Sequence, residues 1–335
     1  MKRILIPALS VMLAAISFIS CGKNENSSSP VADSSSAIDV ETVLTSEADY
    51  EFEANESGVT LTKYIGTVEN PEIPSTIGGK SVTKIGDFCF DGVPVYAVKI
   101  PDTVTELGVG AFTNCYILAQ VDLSQNLEII SEGAFACCDM LSDITLPQTL
   151  TQIGPYAFFE CWGLNNVEIP ESVSVIGEYA FYDCTSLTSI SIPQNAKELG
   201  IGIFSQCTAL ESAYIKAEIT EIPQGMFYEC ENLGVVEYPQ SVTSIGMYAF
   251  IRCKALTEFT FDENFEHIGE GAFFGCENLK SFTILGSSTQ IDAEAIGYTE
   301  NENAESILIE GVTVSCSANS TAADYCAENG ITLAD

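Results

Sequence analysis

Thirteen cysteines and a single histidine are the residues of this 335-residue chain whose types could do chemistry. Eight of the cysteines, Cys115, Cys138, Cys161, Cys184, Cys207, Cys230, Cys253 and Cys276, recur at a constant step of 23 residues. A thiol in this setting can be a nucleophile, a zinc ligand, half of a disulfide or a small buried side chain. A nucleophile needs one special environment with a base beside it, and eight equivalent copies argue against that. Zinc needs four ligands converging at about 2.0 to 2.3 Å on one ion, which a row spread along the chain does not supply, and no C-x-x-C pair occurs. The sequence therefore calls for no catalytic residue, no metal and no cofactor at these positions.

Disulfides between neighbouring copies need Cα atoms within about 7 Å. If the cysteine slot ends a helical turn, packed neighbours stand about 8 to 10 Å apart, and buried free thiols are expected instead. Val93 and Thr299 occupy the same slot at the two ends of the series, which favours packing, since either fills the space of a thiol. Vicinal Cys137 and Cys138, and Cys89, read as packing too; Cys316 and Cys326 lie off the period and are open between bridging and packing. His267 precedes an isoleucine in a variable position and reads as a surface residue rather than a triad member. No phosphate-binding glycine loop and no calcium loop occurs, and paired carboxylates are too common in so acidic a chain to suggest a glycosidase.

The elements that position these cysteines follow from the same period. Ile85-Gly86, Leu107-Gly108, Ile130, Ile153-Gly154, Ile176-Gly177, Leu199-Gly200, Ile222, Ile245-Gly246, Ile268-Gly269 and Ile291 form an anchor series with a first interval of 22 residues and later intervals of 23. Five residues after each anchor stands a core residue: Phe90, Phe112, Phe135, Phe158, Phe181, Phe204, Phe227, Phe250, Phe273 and finally Ile296. Such a register is a repeat array. Alternations such as Ile190-x-Ile192 and Val167-x-Ile169 predict short strands with one buried face, often closed by proline as at Pro170 and Pro193. The Ile-Gly pair is expected to turn the chain into a helical turn such as Glu178 to Phe181. No single copy can bury both its strand and its Phe, whereas stacked copies build one continuous core.

The repeat C-x-x-L-x-x-(V/I)-x-(I/L)-P-x-x-(V/L)-x-x-I-G-x-x-A-F-x-x-C resembles the 23-residue leucine-rich repeat of BspA-like bacterial surface proteins over roughly Tyr50 to Asp335. The resemblance implies an α/β repeat solenoid: a leucine-rich repeat array of parallel short strands with helical or 3-10 turns. The expected divisions are an N-terminal cap at 50–80, repeats at 81–298 and a C-terminal cap at 299–335. The first cap reads as a hairpin turning at Glu56-Ser57-Gly58; the last reads as a strand, a helix from about Ser320 stopped by Gly330, and a final strand.

The start of the chain addresses location. Lys2 and Arg3 precede the apolar run Ile4 to Ile19, the charge order of a signal peptide over residues 1–20. The run ends in Phe18-Ile19-Ser20-Cys21, which resembles a bacterial lipobox and implies lipidation at Cys21. Removal of the two cations takes the formal charge from −35 to −37. Residues 21–49, rich in Ser and Asn, read as a flexible tether. The expected location is the bacterial cell surface or the outer face of a membrane, lipid-anchored, or secreted if cleavage falls elsewhere.

Charge narrows the partners. Lys and Arg number 12 against 47 Asp and Glu, and Ile100 to Ala196 holds twelve acids and no base. Such a surface repels phosphate backbones, so nucleic acid is not an expected partner. The residue between the two buried positions of each strand points outward, giving a candidate partner-binding row of Asp122, Thr145, Glu168, Ser191, Tyr214, Glu237, Thr260 and Thr283, with Tyr214 as aromatic anchor. A second row, Phe159, Tyr182, Tyr228 and Phe274, reads as stacking between copies. The expected function is non-catalytic, adhesin-like binding of a protein partner, which the BspA resemblance extends to host matrix or bacterial surface proteins. The alternative is a structural or carbohydrate-capturing surface lipoprotein, and the membrane is engaged through the lipid anchor only.

Overall fold

A computed structural model describes residues 40–334. The signal segment, Cys21 and the tether as far as residue 39 lie outside the described residues. The folded part begins ahead of Tyr50: Val43–Leu44 already pairs in parallel with Pro71–Glu72 and opens a sheet.

Each repeat is one turn of a coil with three sides. On the front, strands such as Ser189–Ile192 and Ser212–Ile215 pair in parallel one period apart, Ile190 beside Ala213 and Ile192 beside Ile215. The front ladder is interrupted, running in segments of four, two, three and four strands. A second, side sheet consists of two-residue strands ending in the anchors, so that Ile130, Ile153, Ile176 and Leu199 lie side by side. The Ile-Gly pair thus closes a strand rather than starting a helix. The glycines at Gly154, Gly177, Gly200, Gly246 and Gly269 answer to close stacking, because a Cβ at any of them would meet backbone of the preceding coil at 2.2–2.8 Å.

The third side corrects the expected helical turns. Residues from each Gly to each Cys form consecutive tight turns, and among the described residues the α-helix is confined to Thr321–Asn329 and the 3-10 helix to Glu47–Asp49. The reason lies in where the N–H groups go. Ala157, Phe159 and Cys161 donate to the carbonyls of Gly154, Tyr156 and Phe158 three residues back, whereas the intervening Tyr156, Phe158 and Glu160 donate across to Glu178, Ala180 and Tyr182 of the next coil. A helix would keep every N–H within its own coil; here alternate groups knit the coils together. Two left-handed residues per coil make this possible, for example Tyr156 at φ 53° and Glu160 at φ 53°. Pro155 and Tyr156 hold the second and third places of their turn, where a type II turn favours proline and requires positive φ. A non-glycine residue there costs about 1–2 kcal/mol, which Gly202 at φ +60° avoids; its missing side chain also leaves room for the ring of Tyr179.

Inside the coil the phenylalanines form one column. Ring centroids from Phe90 to Phe112 stand 4.8 Å apart, and those of Phe158 and Phe181 5.1 Å. The widest step, 5.9 Å, separates Phe204 from Phe227. That is also where the side sheet breaks, between Glu198–Leu199 and Glu221–Ile222. Gly177 N donates to Ile153 O and Gly200 N to Ile176 O, but the next residue in line is Pro223, which has no N–H to offer Leu199 O.

Both ends are covered. Tyr50–Ala54 and Val59–Tyr64 make the expected hairpin, turned by Asn55, whose side-chain oxygen accepts from Ser57 N and Gly58 N. Tyr64 stacks on Phe90 at 4.8 Å and begins the aromatic column. At the other end the helix Thr321–Asn329 is capped by Ser320, which accepts from Ala323 N, and stops at Gly330 with φ 71°. Thr332–Leu333 then pairs with Thr313–Cys316.

Candidate binding surface

The thiol column lies wholly inside the coil. Each of the eight periodic cysteines is buried and directs its S–H at the carbonyl of the Phe in the preceding coil, as Cys184 Sγ does to Phe158 O at 3.2 Å and Cys276 Sγ to Phe250 O at 3.0 Å. Phe158 O also accepts from Cys161 N at 3.3 Å, so the thiol supplies the second hydrogen bond to a buried carbonyl. Burial first, then the neighbouring thiols, push the Cys184 thiol well above its ordinary range; burial does the same to Cys253. Groups held neutral and out of reach are poor nucleophiles. Cys316 and Cys326 are free thiols, as are Cys89 and the eight of the column. His267 lies on the side sheet with its Nε2 2.9 Å from Asp292 Oδ2. Among the described residues no group of three or more His, Cys, Asp or Glu could hold a metal ion.

The outward row of the front sheet is placed by the ladders. Ser191, Tyr214 and Glu237 are direct neighbours across three strands, and Thr260 faces Thr283. Asp122 lies beside Lys99, which reaches back to Glu72 at 3.0 Å. Thr145 and Glu168 follow the paired residues Ile144 and Val167. Asp122, Thr145, Glu168, Glu237 and Thr260 are exposed, whereas Ser191, Tyr214 and Thr283 are half-buried. Ser191 Oγ is sealed from solvent without a hydrogen-bond partner. The breaks in the front sheet divide the row into groups rather than one unbroken ladder.

The second aromatic row stacks between coils: Phe159 lies on Tyr182 at 4.9 Å, and Tyr156 on Tyr179 at 5.5 Å. Tyr228 and Phe274 belong to a separate outer cluster with Tyr248 and Ile251.

Two features were missed by reading the strands alone. One is the corner that leads from the turns back to the front sheet, directly after the cysteine slot. In the second to fourth coils it carries Tyr116, Ile117, Met140 and Trp162; Tyr116 is 39%, Ile117 41% and Met140 41% exposed. Gly163 N donates to Asp139 O at 3.0 Å, which places Asp139 and Met140 beside the Trp162 coil. The Trp162 indole N–H donates to Asp183 Oδ2 at 2.9 Å. Burial raises the Asp139 carboxyl to about 6, and burial, opposed by the indole hydrogen bond, raises Asp183 to about 6. The signal available in sequence was the large apolar residues at the two positions after the cysteine, within a stretch that has no base.

In later coils the same side carries charge. Lys254 pairs with Glu231 at 2.8 Å, and Arg252 bridges Glu229 to Glu300. These side chains line a groove of about 470 Å³ with Phe274 and Thr299. The other missed feature is an opening of about 550 Å³ at the side-sheet break, bordered by Lys197, Leu199, Ile201, Ile219 and Pro223. Among the described residues no helix is long and apolar enough to cross a membrane.

The pattern of the BspA type leucine rich repeat region matches residues 66–188 and 174–303, in six copies. No curated protein matches the chain. Among solved structures, a leucine-rich repeat protein from Bacteroides ovatus is similar at 29% identity and a TM-score of 0.70, over 80% of this chain and 69% of that one. The pneumococcal vaccine antigen PcpA shares the fold at 20% identity and a TM-score of 0.51, over 78% of this chain and 78% of its own. A leucine rich cell surface protein from Faecalibacterium prausnitzii is 26% identical with a TM-score of 0.47, over 86% of this chain and 93% of its own. With its repeats matched over most of its length, the chain belongs to the BspA-type leucine-rich repeat family.

Proposed function

We propose that this protein is a non-catalytic, adhesin-like binding protein of the bacterial cell surface, held by a lipid on Cys21 and a Ser- and Asn-rich tether, and that its partner is a protein. The observation that carries the reading is the outward row. Asp122, Thr145, Glu168, Glu237 and Thr260 are exposed on coils whose inward positions are filled by Phe, Leu and Cys. A rigid backbone presenting acids and hydroxyls binds without first ordering itself, which lowers the entropic cost of recognition. The acidic excess favours partners with basic surfaces and makes association sensitive to salt.

Solid-phase binding of the purified protein to immobilised matrix proteins and polysaccharides tests this. Saturable protein binding that weakens with salt is expected, and Tyr214→Ala should weaken it about tenfold if Tyr214 anchors the partner. Binding to no protein at all would sink the reading. An unchanged affinity in Tyr214→Ala would remove Tyr214 from the contact.

A further inference from the structure

The corner between the turns and the front sheet deepens the proposed function, and it rests on that function's claim that the partner is a protein. Tyr116, Ile117 and Met140 put large apolar side chains at solvent in two successive coils, and the half-buried Trp162 follows them in the next coil. Contiguous exposed apolar surface marks interaction sites more often than chance. Its rim has one sign of charge. From Ile100 to Ala196 no Lys or Arg occurs, so no cation of those coils neutralises Asp139 or Asp183. Later coils differ, since Arg252 and Lys254 there neutralise Glu229, Glu231 and Glu300.

We infer that this corner is a docking site for a basic, amphipathic segment of a protein partner, in which a guanidinium or ammonium group settles between Asp139 and Asp183 against Trp162 while neighbouring apolar side chains cover Ile117 and Met140. An aromatic ring flanked by carboxylates attracts a cation through both the ring quadrupole and the charge. Burial already disfavours the ionised state of both carboxyls, and a partner cation relieves that cost. Apolar contact alone would fit many partners; the uniformly acidic rim selects basic ones and rejects acidic ones.

Trp162 is the single tryptophan of the chain, so the emission of the purified full-length protein reports on this corner alone. The test titrates it with a short peptide of alternating Arg and Leu, with a Glu/Leu peptide and an Arg/Ser peptide as comparisons, and follows peptide anisotropy in parallel. The Arg/Leu peptide is expected to bind and shift Trp162 emission, the Arg/Ser peptide to bind more weakly, and the Glu/Leu peptide not to bind. Asp183→Asn should weaken binding by about fivefold to thirtyfold, the range of a desolvated cation–π and carboxylate contact. Ile117→Lys changes only an exposed side chain, so it preserves the fold, and it should abolish binding by placing a cation at the site. Peptide binding that leaves Trp162 emission unchanged and survives Ile117→Lys overturns the inference, as does a response to a neutral polysaccharide in place of the basic peptide. Either result leaves the broader reading standing if matrix proteins still bind on the solid phase; loss of all protein binding there removes both.

Discussion

The corner made by the two residues after each column cysteine has two characters in two parts of the solenoid. In the second to fourth coils the corner after the cysteine column carries Tyr116, Ile117, Met140 and Trp162 among acids. In the seventh to ninth coils it carries Glu231, Lys254 and Glu277, with Arg252 tying Glu229 to Glu300 beside them. The residue immediately before the corner hardly varies, because it is the buried cysteine. The fold dictates the inward kind of position and stops dictating at the outward one. An inward position must fill a fixed volume and satisfy a fixed carbonyl, whereas the next position contacts solvent and is free to differ. The later coils pair Glu229, Glu231 and Glu300 with Arg252 and Lys254, whereas the stretch from Ile100 to Ala196 has no Lys or Arg of its own. The side-sheet break at Pro223 lies between the two parts.

The contrast between inward and outward positions is broken most severely from the inside. Phe181→Ala should lower stability by about 3–5 kcal/mol in denaturant unfolding, since it removes a ring stacked on both sides. A cost as small as that of an exposed substitution would contradict the single continuous core. The acidic corner should show itself in pH. Because burial raises the Asp183 carboxyl from 3.8 to about 6, the folded state holds a proton that the unfolded state releases between those values. Stability therefore falls as pH rises from about 4 to about 6 and levels off above, by up to about 3 kcal/mol for this group. Asp183→Asn should flatten that part of the profile while keeping an acceptor for the Trp162 indole; an unaltered profile would assign the slope elsewhere.

Cys184→Ala should cost about 1–2 kcal/mol, through a small cavity and a Phe158 carbonyl left with one partner, and Cys184→Ser should recover part of it by restoring a donor. Consistent with free thiols in the column, titration of denatured, unreduced protein should find eight or more sulfhydryls, and finding almost none would overturn that assignment. The smallest effect belongs to the later coils: Lys254→Ala, which breaks an exposed pair, should change stability by no more than about 1 kcal/mol.

The array was legible because its inward residues recur: the period, the Phe column and the thiol column are all readable from spacing alone. Three features were not. The turn side reads as helix because a segment such as Glu178 to Phe181 gives no sign that alternate N–H groups cross to the next coil or that Tyr179 lies at φ 52°. The side sheet was invisible because a two-residue strand is too short to show alternation. The corner was not legible from strand alternation, because its apolar residues follow the cysteine and alternate between two positions, Ile117 and Met140 in one and Tyr116 and Trp162 in the other, with Asp139 between the latter pair. Tyr214 illustrates the limit of the candidate row, since register places it between Ser191 and Glu237 but not against any partner.

Solid-phase binding of the purified protein to matrix proteins at low and high salt, with the Arg/Leu peptide as competitor, decides whether this surface takes a basic protein partner. Saturable binding that weakens with salt and is displaced by the peptide but not by its Glu/Leu counterpart is expected. Failure to bind any protein, or binding indifferent to both salt and peptide, would contradict a partner of that kind.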